Sequence, residues 1–301
     1  MRSSAFRCPI CGGFEVAKIG KPQISSEAIE FIRADYDVVQ CRTCKFYFVH
    51  PEISFSAGEW ESLYGSEYFE ELVPWWARKR GKEQKRQLDE LEKHSGRSIN
   101  TFLDIGCGEG RVLVEAVERG WRPYGIDIND NRVWAAKDDR VTFAKGTVFE
   151  VPFPDGFFDA IYMESVLEHI VSPMAHLHVI SRILRKGGVL HIGTPNEDCL
   201  FNDTKQLIFR LAGRGHLSAR LSPFKPPYHV TGFTRESLTK TLAKSGFEIV
   251  SLRNFAGEYE WRKYRFLTRP FLIHFLLLPV HLIAIPLEKR VYFAVLARRS
   301  D

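Results

Sequence analysis

The sequence predicts an α/β protein: an open, mostly parallel sheet with helices on both faces, preceded by a small metal-held module. Three observations predict it. From about residue 100, short apolar runs alternate with helical stretches, which is the pattern of a parallel sheet. The first of those runs, "FLDIGCGEG" at residues 102 to 110, ends in three glycines. And four of the six cysteines fall in two Cys-x-x-Cys pairs ahead of residue 45. A chain of 301 residues, 45% hydrophobic and 26% charged, has ordinary globular composition and can bury one large core or two unequal ones.

In chain order, Met1 to Phe14 is polar, carries two arginines and has no apolar run of signal length, so the protein is expected in the cytoplasm. In a reducing compartment Cys8-Pro-Ile-Cys11 and Cys41-Arg-Thr-Cys44 point to metal rather than disulfides, and four sulfurs suit tetrahedral zinc. The 29 residues between the pairs require an excursion or hairpin. A pair of redox thiol turns is the competing reading; Cys107 and Cys199 have no metal partners visible in sequence. Residues 56–98 are aromatic and then charged. "WWARKRGKEQKRQLDELEKH" reads as a helix with a solvated charged face, Trp75 and Trp76 packing it onto the next domain or covering a ligand pocket.

Strands are expected at about 102–105, 123–127, 141–145, 157–163 and 189–194, then at Phe247 to Arg253 and Val291 to Leu296. Gly106, Gly108 and Gly110 allow a backbone turn that a Cβ would obstruct, and a helix follows to Gly120. The spacing is neither G-x-G-x-x-G nor a phosphate loop, and Asp104 two residues ahead is a poor neighbour for a pyrophosphate. It suits a cation. Asp127 ends the second strand where such folds place a ribose acceptor. A cationic ligand with a ribose and no pyrophosphate describes S-adenosylmethionine.

The stretches "FLDIGCGEGRVL", "YGIDI", "VPFPDGFFDAIYMESVLEHI", "RILRKGGVLHIGTPN" and "HVTGFTRESLTKTLAKSGFEIV" resemble, in order and spacing, the successive motifs of class I S-adenosylmethionine-dependent methyltransferases, with the ubiquinone-type and polysaccharide-locus branch most alike. The resemblance covers roughly residues 100 to 255 and the last ten. "CPICGG" and "VVQCRTCKFYFVHP" resemble the N-terminal zinc ribbons of some members. The implied fold is a Rossmann-like seven-stranded methyltransferase sheet, the last strand antiparallel and inserted between its neighbours. The implied domains are a zinc ribbon at 1–55, a helical linker or cap at 56–98, and a methyltransferase domain at 99–301 with a lid insertion at 196–233 and a hydrophobic insertion at 258–288.

The resemblance implies that Asp104, Gly106 and Gly108 hold the methionine part of the cofactor, Gly110 lets the helix pack close, Asp127 takes the ribose and Thr147 stands beside adenine. Glu168 and His169 match the family's L-E-H motif, which makes His169 the first candidate base or acceptor contact, His229 the second and Tyr228 an assistant. Fastening a loop is the alternative role for the glutamate and histidine. Ubiquinone-type relatives often place an acid where this chain has Ser165. Glu164 is one residue off and faces the other way in an extended strand, so no catalytic metal is carried over. His191, inside a strand, reads as a core histidine. Nucleotide-sugar C-methyltransferases carry a further C-terminal domain with no counterpart here, which weighs against that substrate.

The 196–233 insertion interleaves Lys205, Arg210, Arg214, Arg220 and Lys225 with Phe201, Phe209 and Phe224, a lid suited to a phosphorylated or glycosylated acceptor. "FLIHFLLLPVHLIAIPL", residues 271 to 287, is short for a bilayer span and contains two prolines. A crossing would also strand the last sheet strand on the wrong side. With Arg262, Lys263, Arg265, Arg269, Lys289 and Arg290 at its flanks it suits an anionic membrane surface, and a pocket wall or dimer face is the alternative. The net charge of +5 selects no partner. The reading is O-methylation of a small-molecule, sugar or lipid-linked glycan acceptor at the inner membrane face, with no clear nucleic-acid partner. Its rivals are an RNA methyltransferase and a non-catalytic scaffold.

Overall fold

Alternation of side chains across extended strands decides the architecture. In the computed structural model, which describes residues 7–65, 81–255, 268, 272 and 275–300, every residue of the strand Thr101–Ile105 (β4) is buried, because both faces of the sheet are covered. Phe102 packs with a helix at 81–94 (α2) and with Arg111–Glu118 (α3), in a cluster holding Leu88, Leu91, Leu113 and Trp121. Leu103 and Ile105 face the opposite cluster, built with the helices Pro173–Ile183 (α4) and Arg235–Lys244 (α6). The helix Leu200–Leu211 (α5) lies between these two in sequence.

The strands Arg122–Asp127 (β5), Thr142–Lys145 (β6), Phe158–Glu164 (β7), Leu184–Pro195 (β8), Phe247–Phe255 (β10) and Tyr292–Arg299 (β11) complete a seven-stranded sheet in the order β10-β11-β8-β7-β4-β5-β6. β11 runs antiparallel between β10 and β8, as the resemblance implies. The order reverses at β4, between β5 and β7, so the crevice beyond the carboxyl ends of these strands is the topological switch point where such sheets bind ligands. At the other end of the sheet Asp159 fastens the stretch that leads from α2 into β4. Its carboxylate accepts from the N–H groups of Asn100 and Thr101 and from Arg97 and Arg185.

A second sheet is formed by Val16–Gly20 (β1), Asp37–Cys41 (β2) and Tyr47–His50 (β3), joined by Thr231–Gly232 (β9) from far along the chain. Tyr47 pairs with Gly232 and Phe48 with Thr231. The cysteine-bearing module is thus continuous with the 196–233 segment, and Phe224 is wholly buried against Tyr36 and Phe55. Arg220 is buried as well, paired with Asp203 while its Nε donates to the Glu197 carbonyl. These two lid residues are internal, held in the core by packing and by a buried ion pair. The short helix Ala57–Leu63 (α1) carries a capping box, in which Ser56 and Glu59 satisfy each other's backbone N–H groups. Trp75, Trp76, Arg262, Lys263, Arg265 and Arg269 lie outside the described residues, as do Phe271, Ile273 and His274 of the apolar run. That run contributes the helix Leu278–Ala284 (α7).

Candidate active site

The glycine loop leaves β4 at the switch point. Gly106 has φ of +68°, and a Cβ there would come within 2.4 Å of Val166 Cγ2, so only glycine fits. Gly110 begins α3 in the same left-handed conformation, and a Cβ on it would strike Ala136 at 2.6 Å, which is the close packing expected of it. The Gly108 N–H donates to Asp127 Oδ2 at 2.8 Å and the Asn129 N–H to Oδ1 at 3.1 Å. Each oxygen retains acceptor capacity beyond those bonds. Thr147 stands after β6 with its N–H bonded to Glu150 at 2.8 Å and its hydroxyl accepting from the Phe149 N–H, so its side chain shapes that turn.

Asp104 is the group left over. It is 3% exposed and makes no hydrogen bond or ion pair among the described residues. Burial, then the nearby Asp127 and Glu164 carboxylates, push its carboxyl well above the usual range. Among the described residues no lysine or arginine pairs with any of the three; Glu164 is held by His191 at 3.0 Å. His191 itself is buried and stacked on Tyr162. A cationic ligand would offset the repulsion that favours the protonated form and let the carboxyl ionise against it, and a ribose-bearing sulfonium with an ammonium fits that set of oxygens.

Beside this crevice β7 is followed by Ser165, a non-glycine residue at φ +56° whose hydroxyl bonds Tyr292. A 3-10 turn, Leu167–His169, follows. Glu168, 1% exposed, accepts from the Thr194 hydroxyl of β8 at 3.1 Å, and its carbonyl accepts from the Val230 N–H. That backbone bond brings the distant "PYHV" stretch over the turn. His229 Nε2 then lies 3.9 Å from Glu168 Oε1, with the His169 and His229 rings 5.0 Å apart. The three expected residues therefore converge, and their ligand-type atoms fall within 4.8 Å of one another.

His169 Nδ1 lies 2.7 Å from the Tyr64 hydroxyl and 3.3 Å from the Tyr228 carbonyl, while Tyr64 also donates to that carbonyl. A proton on Nδ1 satisfies all three contacts and leaves Nε2 as an acceptor. Burial lowers His169 to about 4 and, with the His169 neighbour, drives His229 well below its ordinary value, so both rings are neutral at pH 7. Tyr64 was not among the expected site residues. It sits more than a hundred residues before His169, and Asn129, two residues past Asp127, holds its carbonyl and that of Glu61 through Nδ2. The one signal for it was the aromatic content of the 56–98 segment.

Away from the crevice, the Sγ atoms of Cys8 and Cys44 and those of Cys11 and Cys41 are each 3.5 Å apart, and all four fall within 4.8 Å. A tetrahedron with metal–sulfur bonds near 2.3 Å has edges of about 3.8 Å. The geometry fits a single zinc-sized ion, and four thiolates so crowded need a cation to coexist.

A family model described as a methyltransferase domain matches residues 75–252. A probable S-adenosylmethionine-dependent methyltransferase of Mycolicibacterium smegmatis is 28% identical over 157 residues, 52% of this chain and 53% of that protein. A ubiquinone biosynthesis O-methyltransferase of Azoarcus sp. is 24% identical over 176 residues, 55% of this chain and 72% of that one. The chain spans about half the length of some of the curated relatives it matches. Among solved structures, the Burkholderia thailandensis 1,6-didemethyltoxoflavin-N1-methyltransferase superposes with a TM-score of 0.53 at 17% identity, over 90% of this chain and 98% of that one, a likeness of fold. With a family match over more than half its length and the sheet order that the family's motifs imply, this chain belongs to the methyltransferase domain family, a family of enzymes.

Proposed function

We propose that the chain transfers a methyl group from S-adenosylmethionine to an oxygen of a small-molecule or lipid-linked acceptor held beside Glu168, His169 and His229. The observation that carries the reading is the Asp104 carboxyl, buried beneath the glycine loop and without a hydrogen-bond or ion-pair partner among the described residues. Asp104 and the Gly106–Gly108 backbone would take the cationic methionine part, Asp127 the ribose hydroxyls, and Thr147 the adenine edge. When bound, S-adenosylmethionine supplies a methyl already activated by its sulfonium.

The protein's own task is then to align an acceptor and exclude water. His169 Nε2 accepts the acceptor's proton, with Tyr64 and the Tyr228 carbonyl fixing the tautomer. Glu168, held by Thr194, faces His229 and can steady a positive charge that develops on either ring. The oxygen target draws support from the relative named as a ubiquinone biosynthesis O-methyltransferase. Cys8, Cys11, Cys41 and Cys44 hold a structural zinc in this reading.

Two measurements test it. Calorimetry with S-adenosylhomocysteine should show binding that Asp104→Asn weakens at least about tenfold, the loss of one charged contact. Methyl-labelled cofactor incubated with lysate split into lipid, metabolite and RNA fractions should label the first or second; label confined to RNA would overturn the acceptor class, and no cofactor binding would overturn the whole reading.

A further inference from the structure

Among the described residues, fifteen large hydrophobic side chains stand exposed, and ten of them come from two stretches: Leu207, Ile208 and Leu211 of α5, and seven between Leu272 and Leu287. Leu211 is 80% exposed and Leu276 73%. The stretches are far apart in sequence, yet α5 packs against α7 and Phe201 lies against His281. Topology brings them together. α5 rises from the carboxyl end of β8, α7 sits in the connection from β10 to β11, and β8 and β10 run in the same direction. Both helices therefore stand on the sheet edge that carries the glycine loop and His169. An apolar concentration of this kind on a folded surface marks an interaction face.

Its border is cationic. Arg210 and Arg214, exposed at the end of α5, and Arg290 beyond α7 form no ion pair among the described residues. The nearby acids are already engaged: Glu288 with Arg235, Asp198 with Lys289, and Asp203 with Arg220 and Lys289. Next to α7, Arg235, Arg253 and Arg290 line a cavity of about 380 Å³ together with Leu252, Ile285 and Glu288, three basic groups to one acid. A second copy docking by two-fold symmetry would bring the basic rim of Arg210, Arg214 and Arg290 toward its own counterpart. An anionic bilayer complements both the apolar centre and the basic rim.

We infer that the α5–α7 face docks on an anionic lipid bilayer. The apolar side chains enter the boundary between headgroups and acyl chains, Arg210 and Arg214 meet lipid phosphates, and the cavity at Arg290 takes one headgroup. No helix among the described residues is long and apolar enough to cross a membrane; the contact proposed is a peripheral one. Where it rests on the proposed function, it narrows the acceptor to one presented from the membrane, since the docking face and His169 share one edge of the sheet.

The test is co-sedimentation of the full chain with vesicles of phosphatidylcholine alone or with about 30 mol% phosphatidylglycerol, in low and high salt. The protein should partition at least about tenfold better onto the anionic vesicles, and Leu211→Glu with Ile283→Glu should remove that binding. Arg210→Gln, Arg214→Gln and Arg290→Gln together should abolish the lipid preference and its salt dependence. S-adenosylhomocysteine affinity, read on the same samples, should be unchanged, which shows each variant folded; its absence with vesicle binding intact would sink the methyltransferase reading and leave docking standing. Equal partition of wild type and variants, or no partition at all, would overturn the proposal. So would a wild-type dimer in sedimentation velocity that Leu211→Glu dissociates while neither form binds vesicles.

Discussion

His169 owes its properties to three groups that touch it, none adjacent to it in sequence. The Tyr64 hydroxyl and the Tyr228 carbonyl meet Nδ1, and the His229 ring packs edge to face against it. Tyr64→Phe should lower kcat about tenfold, the worth of one hydrogen bond in a transition state, with S-adenosylhomocysteine affinity unchanged in calorimetry. The histidine's low value also makes a pH prediction. Burial holds His169 near 4 in the folded chain, against 6.5 when exposed, and His229 moves the same way. The unfolded chain therefore takes up protons first as the pH falls. Stability should be full above about pH 6.5 and decline toward pH 4, while the catalytic rate of molecules that remain folded keeps its plateau down to about pH 5. Melting temperature and kcat/KM measured across that range check both halves. At this scale the sequence showed Glu168, His169 and His229 through their motifs. Tyr64 and Thr194 were not legible, because only the folded backbone brings them within reach.

Among the elements, the glycine loop was the most legible and the most constrained. Gly106→Ala introduces both a left-handed alanine, costing about 1–2 kcal/mol, and a collision with Val166. Cofactor affinity should fall at least about tenfold by calorimetry, and adding Val166→Ala should restore only part of it, since the backbone strain remains. The cysteine cluster makes a different prediction. Metal analysis should find one zinc per chain, and a chelator or Cys44→Ser should expose the β1–β3 module to limited proteolysis before the large sheet melts. Strand positions were read closely because each apolar run here is bounded by glycine or polar residues. The 196–233 segment was read less well. Arg220 and Phe224 look like surface residues in a basic, aromatic stretch, and nothing local announces that Asp203 and Glu197 would receive one while Tyr36 and Phe55 buried the other.

For the whole molecule, Asp159 is the fastening between the sheet and the stretch that leads from α2 into β4. Burial alone would raise its carboxyl, but the Thr101 N–H, Arg97, the Asn100 N–H and Arg185 together hold it well below the usual carboxylate range. Its contribution is present above about pH 4 and is lost as the pH falls further. Asp159→Asn should cost about 2–4 kcal/mol and lower Tm by several degrees, with cofactor affinity unchanged, because it lies at the end of the sheet away from the crevice. That the last strand of the large sheet would run antiparallel between its neighbours followed from the resemblance of the motifs. That the small sheet would close on residues 231–232 did not, since two residues carry no periodicity to read. That closure has a consequence for biosynthesis. On the ribosome Tyr47–His50 emerges long before Thr231–Gly232, and at roughly 5–20 residues per second the newborn module waits on the order of ten seconds with one strand edge bare. A nascent chain released early, or one trimmed after Phe55, would keep that edge open to any passing strand.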